Sequence, residues 1–201
     1  MEINATSGFV SGPVLELFGM LPDGKAVDSC EITNSKGMQL KVINYGATVT
    51  SLKIPLKNGQ IVDVVLGFET LEDYLSSFRL EAAPYLGATV GRYAGRIHNG
   101  VFSLNGRTIQ LNKNNNGNSL HGGIDNFSQK VWEFKKINGG ENPSVTLSYV
   151  SANGEENYPG ELTVELTYTL TEENQLLIEY KASTTEDTVV NLTHHSYFNL
   201  D

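Results

Sequence analysis

Apolar and polar side chains alternate every second residue through most of this chain, and a period of two is the signature of half-buried strands. Met38, Leu40 and Val42 alternate with Gln39 and Lys41, and Leu52, Ile54 and Leu56 alternate with Lys53 and Pro55. Asn58-Gly59 then offers a two-residue turn of the primed kind ahead of "IVDVVLGF". Phe102 and Leu104 lead through Asn105-Gly106 to Ile109 and Leu111, a second hairpin signal, and Val145, Leu147 and Tyr149 alternate further on. The clearest strand is Leu162, Val164, Leu166, Tyr168 and Leu170, followed after the turn-like "TEEN" by Leu176, Ile178, Tyr180 and Ala182. Helical spacing is confined to "TLEDYL", Thr70 to Leu75, with Thr70 placed as a cap. No repeat or linker interrupts the pattern. It predicts one domain over residues 1–201, an all-β antiparallel sandwich or barrel-like sandwich.

Near the end, "NLTHHSYFNL" places two histidines side by side. As a strand, the stretch turns Val190, Leu192, His194, Ser196, Phe198 and Leu200 to one face and Asn191, Thr193, His195, Tyr197 and Asn199 to the other. The first face is largely apolar and the second resembles the floor of a polar pocket. His195 is therefore the candidate for chemistry, and His194 for packing or a structural hydrogen bond. A β-bulge here would exchange the two faces.

Two further stretches bear on function. "GATVGRYAGRIHNG", Gly87 to Gly100, holds Arg92 and Arg96 four apart, which on a strand or irregular segment faces them one way. It lacks the Gly-Lys-Ser/Thr ending of a phosphate-cradling loop. On spacing alone both arginines read as solvated or ion-paired, and His98 as a surface histidine. "NKNNNGNSLHGG", Asn112 to Gly123, is a long polar loop in which a glycine pair after His121 lets backbone approach something closely.

Composition narrows the classes. A net charge of -9 disfavours nucleic acid and anionic membranes, leaving neutral polar small molecules open. Cys30 is the single cysteine, so no internal disulfide framework exists, and its strand-like setting reads as an inert core thiol. The N-terminus shows no basic segment followed by an apolar run, and no stretch has the length of a membrane span, so a cytoplasmic protein is expected. The sequons at Asn4, Asn126 and Asn191 carry little weight without an export signal. Adjacent strand histidines point apart and no His/Cys spacing suits zinc, so no metal is expected.

Taken together, "NYGATVTSLKIP", "DVVLGFETLEDYL", "GATVGRYAGRI", "LNGRTIQLNKNNNGNSLHGG", "YPGELTVELTYTL" and "NLTHHSYFNL" resemble the aldose 1-epimerases, the galactose mutarotase family, in family order from about Leu15 onward. The resemblance implies a supersandwich β-fold, interconversion of the α and β anomers of hexoses, and no cofactor. It implies that His195 is the general acid on the ring oxygen, that His121 is a catalytic and substrate-binding partner, and that Arg96 contacts sugar hydroxyls. Gly95 and His194 stand where many relatives have Asn. The resemblance also implies a general base on a late glutamate and a substrate-binding aspartate before it, and neither occurs by Asp201. The expectation is therefore an N-terminal portion of a mutarotase fold, incomplete at its C-terminal end, inactive alone and prone to self-association through an exposed edge. The alternatives are a non-catalytic carbohydrate-binding sandwich and a hexose-6-phosphate 1-epimerase relative. The latter would want phosphate-binding cations, for which the mouth offers Arg92 and Arg96.

Overall fold

The computed structural model describes residues 14–200. The sequon at Asn4 and the N-terminal reading lie outside them. Five antiparallel strands form a first sheet in chain order: β1 (Leu15–Met20), β2 (Ala26–Thr33), β3 (Gln39–Ile43), β4 (Thr48–Pro55) and β5 (Ile61–Asp63). Helix α1 (Leu71–Ser77) follows, and Thr70 caps it as expected, its Oγ1 accepting from the Asp73 N–H at 3.2 Å. Glu72 and Asp73 complement the positive end of its dipole, while Leu71 and Tyr74 pack with Val27, Ile43 and Tyr45.

Short strands come next: β6 (Thr89–Val90), β7 (Arg96–Ile97), the hairpin β8 (Val101–Leu104) and β9 (Arg107–Gln110), and β10 (Ser119–Leu120). The β8–β9 turn is the two-residue kind, with Asn105 at φ 52° and Gly106 at φ 74°. Asn58-Gly59 behaves differently. The Leu56 N–H donates to Gln60 O and the Gly59 N–H to Leu56 O, with positive φ at Gly59 and not at Asn58, so the β4–β5 loop spans three residues rather than two.

A second antiparallel sheet comprises β11 (Glu133–Asn138), β12 (Ser144–Ser151), β13 (Leu162–Leu170) and β14 (Leu176–Thr184). Leu162, Val164, Leu166, Tyr168 and Leu170 of β13 are all buried, as the alternation requires, and they share one core with Ile32, Leu40, Val42, Val49 and Leu52 of the first sheet. Two sheets closed over one apolar layer make this an antiparallel β-sandwich, with each buried leucine or valine worth about 1.5–3 kcal/mol. Among the described residues no helix is long and apolar enough to cross a membrane.

The histidine stretch departs from a continuous strand. Only Thr193–His194 forms a ladder, β15, because its partner β6 is two residues long. Isolated bridges join Asn191 to Tyr93 and Phe198 to Val65. The apolar face predicted for this stretch is covered only in part: Leu192 packs on the main core, whereas Phe198 is 54% and Leu200 80% exposed.

Candidate active site

Backbone pairing brings three distant side chains together. β7 pairs antiparallel with β10, setting Arg96 opposite Leu120 and hence beside His121. The His121 N–H donates to Gly95 O at 2.9 Å, and the Gly95 N–H donates back to His121 Nδ1 at 3.1 Å. This reciprocal pair holds His121 at φ 55°, a conformation that strains a non-glycine residue by about 1–3 kcal/mol. On the other side, the His195 N–H donates to Ala88 O at 3.0 Å and the Gly87 N–H to His195 O at 3.2 Å. The two imidazoles meet edge to face, centroids 5.4 Å apart. Together with Arg96 they line a cleft of about 370 Å³ whose wall includes Glu81, Tyr85, Asn115 and Tyr197.

The hydrogen bonds fix protonation. With Nδ1 of His121 accepting from backbone, neutral His121 carries its proton on Nε2. Burial, then the neighbouring His195 and Arg96, pull its pKa down to about 4, so near neutrality it is an uncharged donor. Arg96 is exposed; its Nε donates to Asn115 Oδ1 at 3.0 Å, and among the described residues its Nη groups have no hydrogen-bond partner. That leaves a guanidinium fork for ligand oxygens.

His194 turns the other way. Its ring packs edge-on against Tyr168, whose hydroxyl donates to Ala47 O at 2.7 Å. That hydroxyl can then only accept from His194 Nδ1 at 3.4 Å, leaving Nε2 to accept from the Ser196 hydroxyl at 2.5 Å. Burial and the adjacent His195 pull His194 to about 4 as well. Among the described residues no group of three His, Cys, Asp or Glu side chains could hold a metal ion.

Two expectations for Arg92 need correcting. Arg92 is neither solvated nor directed with Arg96: it is 2% exposed and donates six hydrogen bonds to Ser151 Oγ and to the carbonyls of Ser151, Ala152, Pro159 and Gly160. Its task is to hold the β12–β13 connection. Three carboxylates are held by donors of the scaffold. Asp63 accepts from the Leu52 and Val65 N–H groups, and Glu155 accepts from the Tyr149 and Ser151 hydroxyls. Glu156 accepts from Asn112 and two backbone N–H groups, while Glu161 is exposed and lies outside the cleft lining. His98 is exposed, as predicted, whereas Asn126 is buried with its side chain capping Ser128 N.

Tyr85 also lines the cleft, a placement that the strand pattern does not encode. Its ring lies 5.1 Å from His121 and 5.8 Å from His195, at φ 52°. Pro84 before it and Gly87 after it mark irregular backbone, the one local hint that the ring leaves the strand pattern.

Comparison with known proteins matches residues 28–201 to the sequence model of a family described as aldose 1-epimerase. The chain is 42% identical over 184 residues to galactose mutarotase of Sus scrofa, covering 92% of this chain and 51% of the relative. It is 34% identical over 182 residues to aldose 1-epimerase of Escherichia coli, covering 90% and 50%. Among solved structures, galactose 1-epimerase from Lactobacillus acidophilus superposes with a TM-score of 0.80 at 31% identity, over 94% of this chain and 53% of that one. An aldose epimerase homologue from C. elegans gives 0.76 at 35% identity, over 85% and 50%. The chain spans about half the length of the curated relatives it matches.

Proposed function

The chain belongs to the aldose 1-epimerase family, and from that premise we propose that it carries the acid side of a site interconverting the α and β anomers of a hexose. The observation that carries this reading is the meeting of His195, His121 and Arg96 around one cleft. Anomer exchange removes the proton of the C1 hydroxyl and protonates the ring oxygen. The C1–O5 bond then opens to an aldehyde, the C1–C2 bond rotates, and the ring recloses with the proton transfers reversed. His195 gives the proton to the ring oxygen, a role that suits an imidazole near neutrality. The Nε2–H of His121 and the Arg96 fork donate to the oxygens on which charge develops. No step asks for a cofactor.

The base in this reading is the late glutamate that family resemblance implies. Asp63, Glu155 and Glu156 are held by scaffold donors, which favours a division in which these 201 residues bind sugar and hold the acid but turn over slowly alone. Binding without turnover, the second reading, draws on the same observation. The hexose-phosphate reading loses support, because Arg92 is buried away and Arg96 is the guanidinium that lines the cleft. Uncovered Phe198, Leu200, Val190 and Leu177 favour self-association, and a monodisperse monomer in light scattering would contradict it.

Polarimetry of freshly dissolved α-D-galactose and α-D-glucose tests the function. In the protein at the full length its gene encodes, His195→Ala should lower turnover by about 10²–10⁴; unchanged turnover removes His195 from the acid role. Full activity of the 201-residue chain would overturn the division of labour and make Glu81, the carboxylate lining the cleft, the base to remove first.

A further inference from the structure

We propose that Glu156 is a positioning residue for the site: its carboxylate holds the loop after His121 in the conformation that presents the imidazole to the cleft. Glu156 sits in the short connection between β12 and β13, far from the sugar-facing side chains in sequence. Its Oε1 accepts from the Asp125 N–H at 2.8 Å, and its Oε2 accepts from the Ile124 N–H at 3.0 Å and from Asn112 Nδ2 at 2.9 Å. The Asn112 amide is oriented in turn by Asn157 Nδ2, which donates to Asn112 Oδ1 at 3.0 Å.

The glycine pair after His121 is shaped around this contact. Gly123 has φ 117°, and a Cβ there would lie 2.1 Å from Glu156 Oε2, so the carboxylate fills the space the missing side chain leaves. Gly122 has φ 95°, and a Cβ there would lie 2.0 Å from Gly91 O. The loop is thus gripped on one side by the backbone leading into Arg92 and on the other by Glu156. Arg92 secures the far end of the grip, bonding the carbonyls of Ser151 and Ala152 before Glu156 and of Pro159 and Gly160 after it. His121 and Glu156 both hold positive φ, at 55° and 48°. Such backbone persists only where surrounding bonds over-determine it, and the Glu156 bonds to Ile124 and Asp125 join the reciprocal Gly95–His121 pair in doing so. A carboxylate suits the position because it is acceptor-only and all three of its partners are donors. A glutamine would turn an N–H₂ group against at least one of them.

The proposal rests on reading His121 as a sugar-facing donor, and its test reads the imidazole without sugar or turnover, so the two fail separately. Ring nitrogen signals of the four histidines are followed by NMR against pH in the 201-residue chain and in Glu156→Ala, Glu156→Gln and Asn112→Ala. In the parent, His121 is the Nε2–H tautomer with its midpoint near 4. In Glu156→Ala the tautomer preference should be lost and the midpoint should rise by about one unit or more towards the free imidazole value near 6.5. His194 should keep both. The groups facing His121 are Tyr85, His195 and Arg96, and none is altered. Removing a negative charge by itself lowers an imidazole midpoint, so a rise reports movement of the loop. A Glu156→Ala chain that keeps the His194 signature while His121 is unchanged overturns the proposal, whatever its melting temperature. Should that variant fail to fold, Glu156→Gln and Asn112→Ala are judged by the same criterion.

Discussion

Replacing His194 by asparagine should flatten the acid limb of the stability profile. In the folded chain the His194 ring is neutral, donating to Tyr168 and accepting from Ser196, with its pKa pulled from 6.5 to about 4 by burial first and His195 second. The unfolded chain binds that proton near 6.5. Between the two values the unfolded state therefore holds more protons, and stability present above pH 6.5 is lost as pH falls towards 4. Integrated from pH 7.5 to 4.5, a single group shifted this far removes about 2.5 kcal/mol. His121 titrates in the same direction but does so in both proteins, so it cancels. Any cavity left by the smaller side chain is the same at each pH and cancels too. Urea unfolding of the parent and His194→Asn at the two pH values measures the difference. With a urea slope of about 1–3 kcal/mol/M, the parent's midpoint should fall by roughly 1 M more than the variant's. Parallel profiles would mean that His194 is charged or solvated in the fold and would refute the reasoning.

Arg92→Met should destabilise the fold by about 3–5 kcal/mol, or abolish soluble expression, because it strips the donors from a buried set of carbonyls; thermal unfolding measures it. Cys30, buried and with its thiol pushed up to about 11 chiefly by desolvation, should resist alkylation in the folded chain and react only on unfolding, as mass spectrometry of iodoacetamide adducts would show.

The features legible in the sequence are those whose causes are local. The alternation of Leu162 to Leu170 gives β13 its buried face, Thr70 caps α1, and Asn105-Gly106 makes the expected turn. The opposed directions of His194 and His195 follow from strand phase even though only Thr193–His194 pairs as a ladder. The fates of Arg92 and Arg96 were not legible, since what separates them is long-range: the carbonyls that bury Arg92 come from 59 to 68 residues away. Glu155 and Glu156 look solvated in "NGEENYPGEL" for the same reason, as the donors that engage Glu156 belong to the loops around Asn112 and Ile124. Tyr85 enters the cleft through a positive φ that no alternation encodes.

The proposed sugar site joins His121, His195 and Arg96, and the four histidines of this chain report on it separately. Titrating D-galactose into the labelled chain should shift the ring signals of His121 and His195, leave exposed His98 and core-facing His194 in place, and lose its effect in Arg96→Ala. Shifts at His98 or His194 alone, or an undiminished response in Arg96→Ala, would contradict it.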